Sequence, residues 1–333
     1  MLPIVKSQLD ALVEDLRLLE ILVTGPLGLY SDIKMLRESM PLPGVEDLDR
    51  DALRERRTAI SSATQDAAGL ALATVDSAVS TLDTLAMLGE SAGSPLSAEW
   101  VQRARRVLGR ATDKVAGDSR ATTAKLLSGV YVIVDPEVTA GRSTAAVAAA
   151  ALKGGASAIQ LRDKRSDMGA VLERAVELAK ACDTHGAPLI VNDHADVAAL
   201  SGATGLHVGQ TDLPTSVARR LVSPDRLIGL STTNLDQALR AQAEGVDYIA
   251  IGPVFPTDTM GKGGKPPVGT ETVRAVKERV RPPVVAIGGI NTANCSEVFA
   301  SGADAVCVAS AVTLAADPET ACRAIVEAAA RSE

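Results

Sequence analysis

The 333-residue chain predicts an α/β fold, a TIM-type (β/α)8 barrel preceded by a small all-α helical domain. Three observations carry that expectation. Short apolar runs recur from Val130 onward, they alternate with helical stretches, and most of them end in polar, ligand-ready residues. In order these are Ile159-Gln160-Leu161-Arg162-Asp163-Lys164, Val191-Asn192-Asp193-His194, Leu206-His207-Val208-Gly209-Gln210-Thr211-Asp212 and Ile228-Gly229-Leu230-Ser231. Ile251-Gly252-Pro253-Val254-Phe255-Pro256-Thr257, Ile287-Gly288-Gly289-Ile290 and Val306-Cys307-Val308-Ala309-Ser310 follow. Core packing explains the apolar part of each run but not the charged, amide or glycine residues after it. A parallel barrel explains both, because the carboxyl ends of its strands converge on one rim where the active site sits. The pattern points to an enzyme.

The N-terminal part, residues 1–126, is rich in Leu, Ala, Arg, Asp and Glu and shows no sustained alternation. Leu9, Leu12, Leu16, Leu19 and Val23 recur at three- and four-residue steps, which places them on one helical face. Gly25-Pro26 ends that pattern, since proline cannot continue the helix, and Pro41-Leu42-Pro43-Gly44 is a second break. Leu72, Val75, Val79, Leu82 and Ala86 form another stripe, ended near Gly89. Ser97 is a candidate N-cap for a third helix containing Trp100, Ala104, Val107 and Leu108. Together these stripes predict a helical bundle, packed on itself or on a partner such as a second copy of the chain. Gly117-Asp118-Ser119-Arg120 reads as a linker, although Ala121 to Leu127 can prolong a helix into the next domain.

Residues 127–333 carry the barrel. Val130-Tyr131-Val132-Ile133-Val134 is a continuous β-branched run of the kind that suits a sheet buried on both faces. Ser143 to Lys153 is helical, with Gly154-Gly155 supplying the glycine expected just past a helix. Further strands are predicted near 158–161, 189–191, 205–208, 227–230, 248–251, 284–287 and 305–308. Helices are predicted near 168–185, 195–200, 214–221, 234–244, 269–279, 292–301 and 315–331. The eight units fit the usual size of the barrel fold, and their count disfavours an open doubly wound sheet.

Composition narrows the function classes. A hydrophobic content of 46% with 23% charged residues is that of a soluble globular protein. The formal charge of −7 offers no basic footprint, so nucleic acid is not expected as a partner. Met1 to Val23 is interrupted by Lys6, Asp10, Glu14, Asp15, Arg17 and Glu20 and does not read as a signal peptide. No apolar run approaches the roughly 20 residues needed to span a bilayer, so no membrane partner is expected. Cys182, Cys295, Cys307 and Cys322 form no closely spaced pair, which suits a reduced cytoplasm.

The chemistry-bearing residues cluster at the predicted strand ends. Asp193 and Asp212 each follow a strand, and two carboxylates brought together favour a hard cation, with Mg²⁺ typically adding water and phosphate oxygens to its shell. The plainer alternative is that each caps the helix after it. Gln160, Arg162 and Lys164 alternate along one extended segment and so face one way, where arginine can hold phosphate by two parallel hydrogen bonds and lysine adds a point charge. A solvated charged turn is the alternative, though Gln160 is polar among buried neighbours. Gly288-Gly289 and Ala309-Ser310 match the phosphate cup that many such barrels build after strands seven and eight. Thr257 and Thr259 add hydroxyls to the same anion. Met260 to Lys265 is a glycine-rich basic loop that can act as a lid bringing Lys262 or Lys265 onto a phosphate. His207 reads as structural, His194 as ambiguous, and Asn192 as placed for a heterocycle or phosphate oxygen.

Taken together, Gln160-Leu161-Arg162-Asp163-Lys164, Val191-Asn192-Asp193-His194-Ala195-Asp196, Leu206-His207-Val208-Gly209-Gln210-Thr211-Asp212-Leu213-Pro214, Gly252-Pro253-Val254-Phe255-Pro256-Thr257 and Ile287-Gly288-Gly289-Ile290 resemble thiamin phosphate synthase. The resemblance covers about residues 128 to 331. It implies a TIM barrel that joins a pyrimidine carrying a diphosphate to a thiazole phosphate, giving thiamin phosphate and pyrophosphate. It implies that Gln160, Arg162, Lys164 and Asn192 hold the pyrimidine diphosphate, that Asp193 and Asp212 hold Mg²⁺, and that Ser231 contacts the pyrimidine, with Arg162, Lys164 and Ser231 as the catalytic set. Thr257, Thr259, Gly289, Ala309 and Ser310 would hold the thiazole phosphate.

One position departs: the family usually has lysine after its Thr-x-Thr string, and here Met260 stands there, so that Lys262 or Lys265 would have to substitute. A thiazole tautomerase on the same barrel is disfavoured by Thr232, Thr233 and Asn234 after Ser231, where that relative carries a histidine. A degenerate binder is disfavoured by the intact set of Arg162, Lys164, Asp193 and Asp212. Glu14-Asp15-Leu16-Arg17-Leu18-Leu19-Glu20 is similar to repeats in a helical domain that precedes some thiamin phosphate synthases, and no activity follows from that.

Overall fold

The structure is a computed structural model and describes residues 1–23, 29–42, 67–258 and 266–330. The chain forms two compact units, Met1–Ser119 and Arg120–Glu333. The expected breaks at Gly25-Pro26 and Pro43-Gly44, and the residues Thr259, Met260, Lys262 and Lys265, lie outside the described residues.

In the first unit, helix Pro3–Leu22 buries Val5, Leu9, Leu12, Leu16 and Leu19, the stripe expected from the sequence. Full burial of each such aliphatic side chain contributes about 1.5–3 kcal/mol. Helix Ala67–Leu88 faces the same core with Val75, Ala78, Leu82 and Leu85, and Leu72 is buried as well. Its last turn is therefore anchored by Leu85, whereas Ala86 of the expected stripe is exposed. Gly89, at φ +60°, takes the left-handed conformation that stops this helix. By length and composition this helix is apolar enough to cross a membrane. It nevertheless carries Asp76 and Asp83 and packs one face into the helical core, as a core helix does.

Ser97 caps the next helix, Ala98–Ala124, accepting from the Trp100 backbone N–H at 3.2 Å. The division between the two units falls within Gly117, Asp118, Ser119 and Arg120, the segment read as a linker, but its conformation is helical: all four lie inside this helix. An i,i+4 pair between Lys114 and Asp118 and the alanine-rich flanks favour helix over coil here.

Helix Leu29–Glu38 was not apparent in the sequence. It is tied to helix Pro3–Leu22 by a fully buried ion pair, Arg37 to Glu20, at 0% and 1% exposure. The guanidinium donates to both carboxylate oxygens, Nη2 to Oε2 at 3.2 Å. Removing one partner of such a pair leaves an uncompensated buried charge and costs about 3–5 kcal/mol. Glu20→Ala is therefore expected to lower the unfolding midpoint of this unit by a cost of that size. Fluorescence of Trp100, the chain's single tryptophan, reads that transition. An unchanged midpoint would show the pair to be dispensable.

The second unit is a closed barrel of eight parallel strands in sequence order. They are β1 Gly129–Val134, β2 Ala158–Leu161, β3 Leu189–Asn192, β4 Gly205–Val208, β5 Leu227–Thr232, β6 Tyr248–Ile251, β7 Val284–Ile287 and β8 Ala305–Val308. Parallel pairing runs unbroken around the ring and closes through β1 on β8, Tyr131 opposite Cys307. The period of two sorts the side chains. Val130, Val132, Val134, Ile159, Leu161, Ile249 and Ile251 point outward into the core shared with the surrounding helices. Tyr131, Ile133, Ala158, Ile190, Leu227, Tyr248, Ala250, Val285 and Cys307 fill the barrel. The continuous apolar strands thus serve two cores at once. All four cysteines are buried free thiols, and burial pushes Cys182 up to about 12 and Cys322 up to about 11.

Candidate active site

The same parity places the polar residues. Gln160 falls on the inward side of β2 with Ala158, His207 on the inward side of β4, and Ser231 on that of β5 with Leu227. Arg162 and Asn192 continue the inward series at the ends of β2 and β3. The carboxyl ends of the strands consequently open on two adjoining cavities. One of about 460 Å³ is lined by Gln160, Thr257, Gly289, Ala309 and Ser310 among others. The other, of about 380 Å³, is lined by Lys164, Asp193, Asp212 and Gln210 among others. Arg162, Asn192, His207 and Ser231 line both. Every described residue singled out for the site therefore borders one or both of these cavities.

Asp193 sits in the left-handed region at φ +64°, a conformation that aspartate and asparagine tolerate better than most residues. Its backbone N–H donates to His207 O at 2.8 Å, and its side-chain Oδ2 pairs with Lys164 Nζ at 2.9 Å. It does not cap helix Ala195–Leu200, whose N-cap is His194. Asp212 does not cap helix Thr215–Leu221 either; its Oδ2 accepts the Gly209 N–H at 2.7 Å. Capping is thereby removed as the reason for either carboxylate. Burial pushes the Asp193 carboxyl above its ordinary value, and the nearby Asp212 carboxylate adds to the shift against the opposing hydrogen bond from Lys164.

Two close carboxylates that repel each other, with a single lysine paired to one of them at 2.9 Å, make a donor set that fits a hard dication. Among the described residues no cluster of three or more His, Cys, Asp or Glu side chains forms. A cation here would complete its shell with water and phosphate oxygens, as Mg²⁺ commonly does.

Arg162 is held from behind. Its Nη1 pairs with Asp135, a carboxylate only 2% exposed at the end of β1 that also accepts the Glu137 N–H at 3.0 Å. Asp163 points the other way. Its carboxylate takes the backbone N–H groups of Arg165 and Ser166 at 3.2 and 3.1 Å and the Arg174 guanidinium at 2.5 Å, which fixes the turn carrying Lys164. Although burial opposes it, these contacts, Ser166 foremost, hold the Asp163 carboxyl below the usual range. Lys164 itself is half-exposed and reaches only the outer cavity. His194 contacts the Asp163 carbonyl at 3.4 Å and borders neither cavity.

Opposite this charged side, Gly288 and Gly289 adopt φ +105° and +67°. A Cβ on Gly289 would lie 2.6 Å from Pro256 O, so only glycine lets the two loops approach. The turn after β8 begins the short helix Ser310–Thr313. Arg142 steadies its far end by donating to Thr313 O and Ala315 O at 2.9 and 2.8 Å. The sequence alone does not single out Asp135, Tyr131 or Tyr248, and His207 reads there as structural, yet the last three line the inner cavity. The available signal was parity, since each alternates with outward-facing aliphatic residues.

The profile of the thiamine monophosphate synthase family matches residues 130–312. Thiamine-phosphate synthase of Shouchella clausii is 46% identical over 199 residues, covering 60% of this chain and 95% of the relative. That of Chloroflexus aurantiacus is 44% identical over 194 residues, covering 58% of this chain and 89% of the relative. Among solved structures, a thiamine phosphate pyrophosphorylase from Pyrococcus furiosus has a TM-score of 0.58 at 35% identity, covering 63% of this chain and 98% of that one.

Proposed function

Because the chain belongs to the thiamine monophosphate synthase family, its activity is thiamin phosphate synthesis, and we propose that the barrel rim carries it out with Mg²⁺ held by Asp193 and Asp212. The substrates are a phosphorylated pyrimidine and a phosphorylated thiazole, and the enzyme is a transferase of thiamine biosynthesis. The observation that carries the residue assignment is the pair of adjoining cavities, one with the carboxylates and Lys164, the other with Thr257, Gly289, Ala309 and Ser310. Two anions of different size can thus sit on either side of the residues common to both.

In this reading Arg162 and Lys164 hold the diphosphate, Gln160, Asn192 and Ser231 orient the pyrimidine, and the glycine and hydroxyl groups hold the thiazole phosphate. Thr259 joins Thr257 there, and Lys262 or Lys265 takes the place of the lysine missing at Met260. The bond between the pyrimidine methylene and the diphosphate oxygen breaks, with the electron pair leaving on pyrophosphate. The thiazole nitrogen lone pair then forms the new bond to that carbon. A bound Mg²⁺ supplies charge neutralisation at the departing oxygens. Arg162 and Lys164 stabilise the same growing charge, and the walls of the cavity keep the two rings aligned, so that no activated nucleophile is needed.

Residues 127–333 act as the catalytic domain and residues 1–126 as a packing or dimerisation module. The buried free thiols suit a cytoplasmic setting. The test is thiamin phosphate formation by the purified full-length chain, given both half-molecules with Mg²⁺ and then with EDTA. Turnover is expected with Mg²⁺, lost with EDTA and restored by added Mg²⁺. Undiminished turnover in EDTA would overturn the cation assignment.

A further inference from the structure

Across the floor of the inner cavity runs a chain of five polar side chains, each from a different strand. Gln160 Nε2 donates to Tyr131 Oη at 2.8 Å. Tyr131 Oη lies 3.3 Å from Tyr248 Oη, and Tyr248 Oη lies 2.9 Å from His207 Nδ1. His207 Nε2 lies 2.9 Å from Ser231 Oγ. The two tyrosines are 1% and 0% exposed. Their place is made by the sequence: a Cβ on Gly229 would fall 2.0 Å from Tyr248 Cζ, so glycine leaves room for that ring.

Protons along the chain can be counted. Burial pushes both phenols upward, so each stays neutral and has one proton to give. A neutral imidazole likewise carries one N–H, with the other nitrogen an acceptor. With Gln160 donating to Tyr131, the arrangement that leaves neither buried phenol proton without an acceptor has Tyr131 donating to Tyr248 and Tyr248 donating to His207 Nδ1. His207 is then the Nε2–H tautomer and donates to Ser231 Oγ. Ser231 keeps its hydroxyl proton for the cavity, while Gln160 keeps its carbonyl oxygen.

We infer that this chain fixes the hydrogen-bond polarity of its two ends, so that the site accepts a ring edge with an amino donor beside a ring-nitrogen acceptor and rejects the oxo edge, where donor and acceptor are exchanged. This rests on the reading that the cavity takes the aminopyrimidine. Serving a 4-oxopyrimidine would require all five groups to reverse together: Gln160 turns its amide over, both phenols swing their protons, and His207 moves its proton to Nδ1. A ligand that leaves buried polar groups mismatched is rejected strongly, by up to about 10⁴-fold or more at sites built for such pairing. Tyr131, Tyr248 and His207 are in this sense positioning residues that set specificity through Gln160 and Ser231.

Tyr248→Phe tests the inference, since it removes one oxygen and keeps the ring opposite Gly229. The two halves of the chain can then reverse independently. Calorimetric dissociation constants are measured for the 4-amino and 4-oxo pyrimidine methyl diphosphates with the full-length protein and its variant. The native protein is expected to favour the amino compound, and Tyr248→Phe to reduce that preference about tenfold or more; Tyr131→Phe, cutting the next link, should do the same. An unchanged preference in a folded variant overturns the inference. So does a native protein that binds both compounds equally, a result that leaves the synthase reading standing. Failure of the native protein to bind the amino compound contradicts the substrate assignment itself. If both variants lose their fold, nitrogen NMR of the native protein decides. The Nε2–H tautomer of His207 is expected, and the Nδ1–H tautomer would overturn the proposal.

Discussion

Asp193→Asn is expected to reduce Mg²⁺-dependent turnover by about a hundredfold to a thousandfold, the size of effect seen when one element of transition-state charge stabilisation is removed. The substitution isolates the charge. Asparagine is close in shape, and it tolerates the left-handed backbone found at φ +64°. Its amide oxygen can still accept from Lys164. Stability should move in the opposite direction from activity. Burial raises the Asp193 carboxyl in the folded protein, so the native state binds that proton more tightly than the unfolded chain does. Stability contributed by this group therefore falls as pH rises above the ordinary carboxylate range. At neutral pH the asparagine variant escapes that cost and should melt at the native temperature or higher, as expected for a site strained by its function. Near-normal turnover would remove Asp193 from the metal assignment, and a large drop in melting temperature would make its role structural.

Arg162→Ala is expected to lose both catalysis and stability. The guanidinium borders both cavities, and losing a charge-stabilising donor there should cost about 10²–10³ in turnover. Behind it, the buried Asp135 carboxylate would lose its ion pair while keeping the Glu137 N–H, a penalty of about 1–3 kcal/mol. Arg162→Lys separates the two effects. Lysine restores a positive charge near Asp135 but not the planar fork that matches phosphate, so melting temperature should recover further than kcat/KM. Equal recovery of both would show that Arg162 acts as a point charge only.

Much of this site could be read from the sequence because barrel strands repeat one physical rule. An apolar run that is buried on both faces needs β-branched residues, and its carboxyl end must meet the rim. Residues such as Gln160, Arg162, Asn192 and Ser231 could be placed by counting in twos from the strand starts. Asp193 and Asp212 were ambiguous from local sequence, because an aspartate before a helix is most simply a cap. The positive φ at Asp193 and the Gly209 contact of Asp212 remove that reading, and neither is written in composition or period.

The Gln160–Tyr131–Tyr248–His207–Ser231 chain was not legible for a different reason. Its members are brought together from five strands by closure of the barrel, and no local pattern joins residues 131 and 248. The pairing of Asp135 was hidden similarly, since its partner Arg162 belongs to the next strand. In the helical unit, Leu29–Glu38 escaped notice because its ten residues mix apolar and charged positions. The helix at Gly117–Arg120 is a mixed case: glycine and serine suggested a linker, and the division between the units does fall there, but the surrounding alanines and ion pair keep the segment helical.

The most direct test of the metal and diphosphate assignment is anomalous diffraction from crystals of the full-length protein grown with Mn²⁺ in place of Mg²⁺ and with pyrophosphate. A manganese peak between the carboxylates of Asp193 and Asp212, with pyrophosphate reaching Arg162 and Lys164, is the expected result. Manganese and pyrophosphate bound elsewhere in the barrel, with those four side chains unengaged, would contradict the account.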